Sequence, residues 1–138
     1  PAGRCGDRGR LETVGSVVAN ADAARNRGLP TSSSELASLA ANGKQQALDI
    51  LHRAGAAVGL ATAQLVQMLD PSHVLIMLHP ALHHGVFGHA LRHETETHIL
   101  HRANARTLIQ FRDFAPDSFA QGAASLAARY FLSGHDTN

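Results

Sequence analysis

The stretch from Gln45 to Leu78 constrains the fold more than any other part of this 138-residue chain. From Ala47 onward its apolar residues recur every three or four positions, which places them on one face of a long helix. Those residues are Leu48, Leu51, Ala54, Val58, Ala61, Leu65 and Leu69. A second face carries small side chains, so a neighbouring element could approach the helix closely. Its members are Ala54, Ala56, Ala57, Gly59 and Ala63.

The end of this helix leads directly into a predicted strand. Asp70-Pro71 stops the helix, because the residue before a proline is driven out of the α region. The following run, His73–Leu78, is apolar without alternation, a pattern typical of a strand covered on both faces. A helix that delivers the chain into a buried strand predicts an α/β fold.

Shorter elements are predicted on both sides of this stretch. Ser32 and Glu35 have the spacing of a capping box, and Asn42-Gly43 is a good signal for the end of the same short helix. His79-Pro80 ends the strand. The flanking elements are predicted, in chain order, as a helix over 11–24, a helix over 35–41, a helix over 85–103, a strand over 107–111 and a helix over 118–132. Residues 1–10 are expected to form a loop, and residues 133–138 a frayed tail.

Composition and charge exclude several classes of function. A formal net charge of +1, without a basic run, gives no sign of a nucleic-acid or membrane surface. No stretch approaches the ~18 uninterrupted apolar residues of a membrane span, so no membrane partner is expected. Cys5 is the single cysteine, which rules out an internal disulfide and favours a reducing, cytoplasmic location. We expect one domain over residues 1–138, and the opening Pro1 indicates a piece of a longer polypeptide.

A glycine-rich loop leads into a helix that begins with an acid, in the segment from Cys5 to Ser16, CGDRGRLETVGS. This segment resembles the second signature of the ROK family (repressors, uncharacterised reading frames and sugar kinases), whose pattern is C-x-C-G-x-x-G-C-x-E. Two further landmarks follow in the order of the family, Asp70-Pro71 before the strand and Gly122-Ala123-Ala124 in the last helix. The resemblance implies the C-terminal lobe of an actin-like, ribonuclease-H-like ATPase fold, rich in helix, with only part of its sheet.

The resemblance also implies that the catalytic groups and the DNA-binding winged helix precede Pro1. The chain is therefore expected to have no catalytic residues and no cofactor, and to meet DNA only through a domain that it lacks. After the strand the family usually places two glycines, where the backbone approaches the nucleotide, and here those positions are Met77 and Leu78. These side chains favour the effector-sensing and dimerising part of a sugar-responsive transcriptional regulator over the alternative, the same lobe of an ATP-dependent sugar kinase. A third hypothesis is an interaction module that uses neither sugar nor DNA.

Glu12 is the candidate sugar-binding residue. It matches the family glutamate that hydrogen-bonds sugar hydroxyls, a task that suits a carboxylate because it can accept from two neighbouring hydroxyls. The dipole of a helix favours an acid in the first turn anyway, so a purely structural role stays open. The three zinc cysteines of the family correspond to Gly3, Cys5 and Arg10. This degenerate zinc motif keeps one thiol where a structural zinc needs several, so no metal is expected there.

Ten histidines, seven of them between His79 and His101, raise a second metal hypothesis. Three pairs stand at helical spacing: His79/His83, His89/His93 and His98/His101. His93 and His98 resemble a zinc-protease motif, but they are five residues apart rather than the four that one helix face requires. Because no cysteine or aspartate cluster lies near them in sequence, a solvated, partly titrating helix face is the favoured interpretation and no metal site is predicted.

Self-association as a homodimer or a higher oligomer is expected, because the lobe missing from this chain leaves apolar surface exposed. Two surfaces are candidates for burial in a partner. One is the small-residue face of the 45–69 helix. The other is a stripe in the last helix formed by Leu126, Tyr130 and Phe131.

Overall fold

The computed structural model describes residues 11–99, 107–115 and 117–132. Within these ranges the chain forms seven helices and two strands. In order they are α1 (Glu12–Gly15), α2 (Val17–Arg25), α3 (Ser33–Ala41), α4 (Gln45–Leu69), β1 (His73–Leu78), α5 (Pro80–His83), α6 (Val86–His98), β2 (Leu108–Asp113) and α7 (Ser118–Leu132). The fold is α/β and rich in helix, as predicted. The predictions for residues 1–10 and 133–138 lie outside the described ranges.

The long helix α4 is the centre of the packing, and it has the predicted bounds. Helices α1, α2, α3 and α6 all pack against it. Leu36, Leu51, Leu91 and Thr95 are the largest fully buried side chains, and they come from α3, α4 and α6. The core therefore lies between these three helices, and burial of their apolar side chains is the main force that holds them together.

The predicted apolar face of α4 is buried only in its first half, where Leu51 and Ala54 lie in the core. Leu65 and Leu69 are 54% and 68% exposed, whereas the small-residue side is buried. A Cβ on Gly55 would overlap the carbonyl of Phe87, and a Cβ on Gly59 would overlap that of Leu91, so α6 lies directly against the α4 backbone. The predicted close approach is confirmed. The neighbour is α6 of the same chain, so this surface is not available to a partner.

The two strands form a parallel sheet in which His73 pairs with Leu108 and Leu78 with Asp113. Helices α5 and α6 lie between them in the chain, as parallel strands require a crossover. Burial alternates along β1, and Leu75 and Met77 are 58% and 43% exposed. The prediction of a strand covered on both faces is wrong for the described part of the chain, because the helices there cover one face of the sheet.

Three other predicted elements differ in detail. The helix expected over 11–24 is broken at Ser16, whose extended backbone (ψ 157°) lets its Oγ accept a hydrogen bond from Ala19 N at 3.0 Å and cap α2. Ser32 is the N-cap of α3, but its hydroxyl bonds to Ser34 Oγ, so the capping box does not form. Helix α6 ends at His98, before the predicted end.

Helix α7 follows β2 with the predicted bounds and is exposed along most of its length. Its large apolar side chains are between 57% and 87% exposed: Phe119, Leu126, Tyr130, Phe131 and Leu132. An edge-to-face contact between the rings of Phe114 and Phe119, with centroids 5.1 Å apart, joins α7 to the end of the sheet. Among the described helices, none has the length and apolarity needed to cross a bilayer.

Candidate ligand site at the carboxyl ends of the strands

The carboxyl ends of β1 and β2 meet at one edge of the sheet, because the strands are parallel and Leu78 pairs with Asp113. Ligands of α/β proteins bind preferentially at this edge. Helix α5 begins at once after β1. Pro80 occupies its first turn, and Nδ1 of His79 caps it by accepting a hydrogen bond from Ala81 N at 3.2 Å. The sequence His79-Pro80 therefore turns the chain sharply across the ends of the strands.

A histidine and an aspartate are paired at this edge. His83, the last residue of α5, lies with its Nδ1 2.6 Å from Oδ1 of Asp113, the last residue of β2. The imidazole is 11% exposed and the carboxylate 52% exposed. An ionised carboxylate can only accept, so the Nδ1–H of His83 donates to it, which leaves Nε2 as the nitrogen that can bind a ligand.

Two further rings hold the His83 imidazole in place. The ring of His84 stacks on one side at a centroid distance of 4.2 Å and an interplanar angle of 24°. The ring of Phe111 lies at 6.3 Å, also at 24°. Phe111 and Asp113 are two residues apart on β2, so their side chains extend from the same face of the sheet towards α5. The imidazole therefore has one orientation fixed by three neighbours.

Helix α6 fixes the backbone beneath this ring. Arg92 donates from Nη1 to the carbonyl oxygen of His83 at 3.1 Å, and its guanidinium carbon lies 4.3 Å from the centroid of the Phe111 ring. Gly88 allows the approach, because a Cβ there would overlap the same His83 carbonyl. A glycine inside a helix normally weakens it, whereas the packing requires one at this position.

His83, His84 and Asp113 form a cluster with the composition of a metal site. Each offers one ligand atom, and these atoms lie within 4.8 Å of one another. Two imidazole nitrogens and a carboxylate oxygen are donors that suit Zn²⁺ and other first-row transition metals. Spacing along the sequence does not reveal this cluster, because Asp113 lies on β2, about thirty residues after His83 and His84.

The histidine pairs singled out by spacing do not form this site. His79 caps α5, while His89 and His93 are exposed on α6, as expected for a solvated helix face. His98 Nδ1 lies 3.3 Å from Oε2 of Glu94 and 2.9 Å from the Glu94 carbonyl oxygen. His101 lies outside the described residues.

Glu12 occupies the first turn of α1 and is exposed. Helix α1 packs on α4, and the close contact is at Gly15, where a Cβ would lie 2.6 Å from Cγ2 of Val58. This contact directs the N-terminal end of α1, with its carboxylate, to the surface. Gly3, Cys5 and Arg10, the positions of the degenerate zinc motif, lie outside the described residues.

Two other concave regions adjoin the first half of α4. An apolar cleft of about 150 Å³ lies between α3, α4, α5 and α6, with Leu48, Leu51, Leu82 and Phe87 in its walls. A more open hollow of about 400 Å³ is lined by polar groups, among them Arg27, Asp49, His52 and Arg53. Neither region combines convergent ligating side chains with the strand ends of the sheet.

The order of elements, the parallel strand pair and the crossover through α5 and α6 define an α/β protein. The sequence model of the ROK family matches residues 1–130, and the chain belongs to this family. The resemblance found in the signature from Cys5 to Ser16 is thereby confirmed at the level of the family. No curated protein and no solved structure matches the chain. The family includes both regulators and sugar kinases, so membership alone does not separate the two.

Proposed function

We propose that this chain is the effector-sensing and dimerising part of a sugar-responsive transcriptional regulator of the ROK family, without catalysis of its own. The end of β1 carries the proposal. Here Met77 and Leu78 stand where the resemblance to the family leads one to expect two glycines beside the nucleotide. Leu78 packs against the core, and Met77 is 43% exposed on the opposite face of the sheet.

The backbone at this point is also engaged. The carbonyl oxygen of Leu78 accepts a hydrogen bond from Phe114 N at 2.7 Å, so the strand pairing continues to the last residue of β1. Two glycines would leave bare backbone that a phosphate or base could approach closely. Side chains on both faces of the strand remove that space, which supports a protein that has lost nucleotide binding and kept a sensing role.

Glu12 supplies the sugar contact in this proposal. Glu12 is exposed in the first turn of α1, and its carboxylate can accept hydrogen bonds from hydroxyl donors. The packing of Gly15 on Val58 keeps α1 against α4, so the carboxylate is presented by a supported element. DNA recognition would belong to a winged-helix domain that is not part of this chain.

Calorimetry of the full-length protein with a panel of hexoses and amino sugars tests the sugar site. We expect Glu12→Gln to weaken binding by about tenfold or more, because hydrogen bonds to a charged group contribute about 1.5–3 kcal/mol. Glu35→Gln is the matched control, since Glu35 is also an exposed acid in the first turn of a helix. Equal affinity of the Glu12 variant and the wild type would reject Glu12 as a contact. If none of the sugars binds, the third hypothesis, an interaction module that uses neither sugar nor DNA, is favoured.

The kinase alternative is tested on the same protein. We expect neither ATP binding nor transfer of phosphate to a hexose, because Met77 and Leu78 occupy the space beside the strand end. Hexose-dependent consumption of ATP by the full-length protein would overturn the regulator proposal and restore the kinase.

Self-association is proposed to involve the stripe of apolar residues on α7. Leu126 and Phe131 are 70% and 81% exposed, and a surface of this kind is commonly an interface between subunits. Sedimentation should show a dimer that Leu126→Lys dissociates, because the lysine places a charge in the apolar stripe. Ser125→Lys is the matched control, since it adds the same charge to an exposed position of the same helix outside the stripe, and it should leave the dimer intact. A wild-type monomer at high protein concentration would contradict the proposal.

A further inference from the structure

We propose that His83, His84 and Asp113 bind a divalent transition-metal ion, with Zn²⁺ as the best match, and that the ion links α5 to the end of β2. This proposed site shares no residue with the degenerate cysteine motif of Gly3, Cys5 and Arg10, nor with the proposed sugar contact at Glu12. It rests on the geometry of the cluster, on the support of His83 by its neighbours and on the chemistry of the donor set.

The three donors lie close to the arrangement that a metal needs. Ligand atoms around a tetrahedral Zn²⁺, with bonds of about 2.1 Å, lie about 3.4 Å from one another. One ligand atom from each of the three side chains lies within 4.8 Å of the other two. His84 is exposed, so its side chain has space to turn a ring nitrogen towards the ion.

His83 is held in advance, which reduces the entropy lost when the ion binds. Its ring lies beside those of His84 and Phe111, and its carbonyl accepts from Arg92. Asp113 can act in two ways. It can bind the ion directly, or it can keep accepting from Nδ1–H while Nε2 of His83 binds the ion, which is the usual arrangement of a carboxylate behind a metal-bound imidazole.

The surrounding charges are compatible with a cation. Arg92 lies beside the cluster. Its guanidinium sits over the face of the Phe111 ring, and one of its nitrogens donates to the His83 carbonyl. Arg112 precedes Asp113 on β2, so its side chain extends from the opposite face of the sheet. Asp113 then supplies the charge nearest the ion.

Three protein ligands leave one position of a tetrahedral ion open. Sites of this type keep a water or take an anionic group as the fourth ligand. The exposed side of the cluster, formed by His84 and Asp113, gives that ligand access from solvent. A carboxylate or phosphate group bound there would lie at the edge of the sheet where α/β proteins usually bind their ligands.

Titration of Zn²⁺ into the full chain, first freed of metal, in competition with a chromophoric chelator tests the site. We expect one tightly bound ion per chain and a loss of at least about tenfold in affinity for His84→Ala and for Asp113→Asn. The control is the double variant His89→Ala/His93→Ala, which removes two exposed histidines of α6 and should leave the affinity unchanged. His84 is exposed, so its variant should fold normally, which circular dichroism verifies.

Cobalt provides an independent readout. Co²⁺ bound by the wild type should give the strong visible absorption of a four-coordinate ion, and this absorption should be absent from His84→Ala. If the α6 double variant loses the tight ion while His84→Ala retains it, binding is to surface histidines and the proposal is wrong. The proposal is also wrong if the wild type binds Zn²⁺ no more tightly than His84→Ala and Asp113→Asn do.

Discussion

Gly55→Ala should destabilise the protein, although an alanine normally strengthens a helix. Gly55 lies in the middle of α4, and a Cβ at this position would come within 3.1 Å of three backbone atoms of Phe87, with the carbonyl oxygen in overlap. The obstacle is the backbone of α6, which a rotamer change cannot relieve. Helix α6 must therefore move away from α4, or both helices must deform.

The magnitude follows from two opposing terms. Replacing glycine by alanine inside a helix stabilises it by about 1 kcal/mol. Restoring an ordinary contact at Gly55 separates the helices by about 1 Å, and a gap of that size removes up to half of the dispersion energy of each contact that opens. Phe87 and Leu91 are buried on this face of α6, so we take the upper end of the overpacking range, about 3 kcal/mol. The net expectation is a loss of about 2 kcal/mol in the free energy of unfolding.

Urea denaturation followed by far-ultraviolet circular dichroism measures this loss. Gly122→Ala is the matched control, because Gly122 is also inside a helix and no atom lies within 4 Å of its added Cβ. The control should leave the urea midpoint of unfolding unchanged or raise it, whereas Gly55→Ala should lower this midpoint. If both variants are as stable as the wild type or more stable, α6 does not lie against α4 as described and the reasoning fails.

Three smaller perturbations test other contacts. Thr95→Val should cost about 1 kcal/mol in urea denaturation, because the buried hydroxyl donates to the Leu91 carbonyl at 2.8 Å; unchanged stability would contradict that bond. Ser16→Ala should cost about 1 kcal/mol of α2 stability by removing its N-cap, seen as faster amide hydrogen exchange in the first turn; unchanged exchange would argue against the break. Arg92→Lys should cost about 1 kcal/mol, because a lysine cannot reproduce the planar stack on Phe111; equal denaturation midpoints would exclude that stack.

The sequence predicted best the elements whose ends carry local signals. Asp70-Pro71 ends α4 at the expected residue, with Asp70 in the left-handed region at φ 47°, and Gly43 at φ 80° follows α3 in the same way. Both helix ends depend on residues adjacent in the chain, so they can be inferred without knowledge of the fold. The family could be recognised for a similar reason, since its signature is also a local pattern.

The sequence predicted worst which face of a helix is buried. Periodicity favoured the leucine face of α4, yet Leu65 and Leu69 are exposed and the face around Gly55 and Gly59 is in the core. Hydrophobicity ranks leucine above glycine, but two helices whose backbones touch need the smaller residue. The break at Ser16 was also not predictable from the sequence, because a serine that caps a new helix can equally lie inside a continuous helix.

The cluster at the strand ends depends on strand register and on helix packing, neither of which a local sequence pattern specifies. Asp113 meets His83 only because β1 and β2 pair in parallel with Leu78 opposite Asp113, a register that no local pattern specifies. The position of His83 in turn requires Gly88, which brings α6 against the end of α5. The spacing of histidines along the chain predicts several helical pairs but not the cluster of His83, His84 and Asp113. Strand pairing supplies its aspartate, and helix packing holds the backbone of His83. Glycines that weaken a helix in isolation are here what positions the side chains of the candidate site.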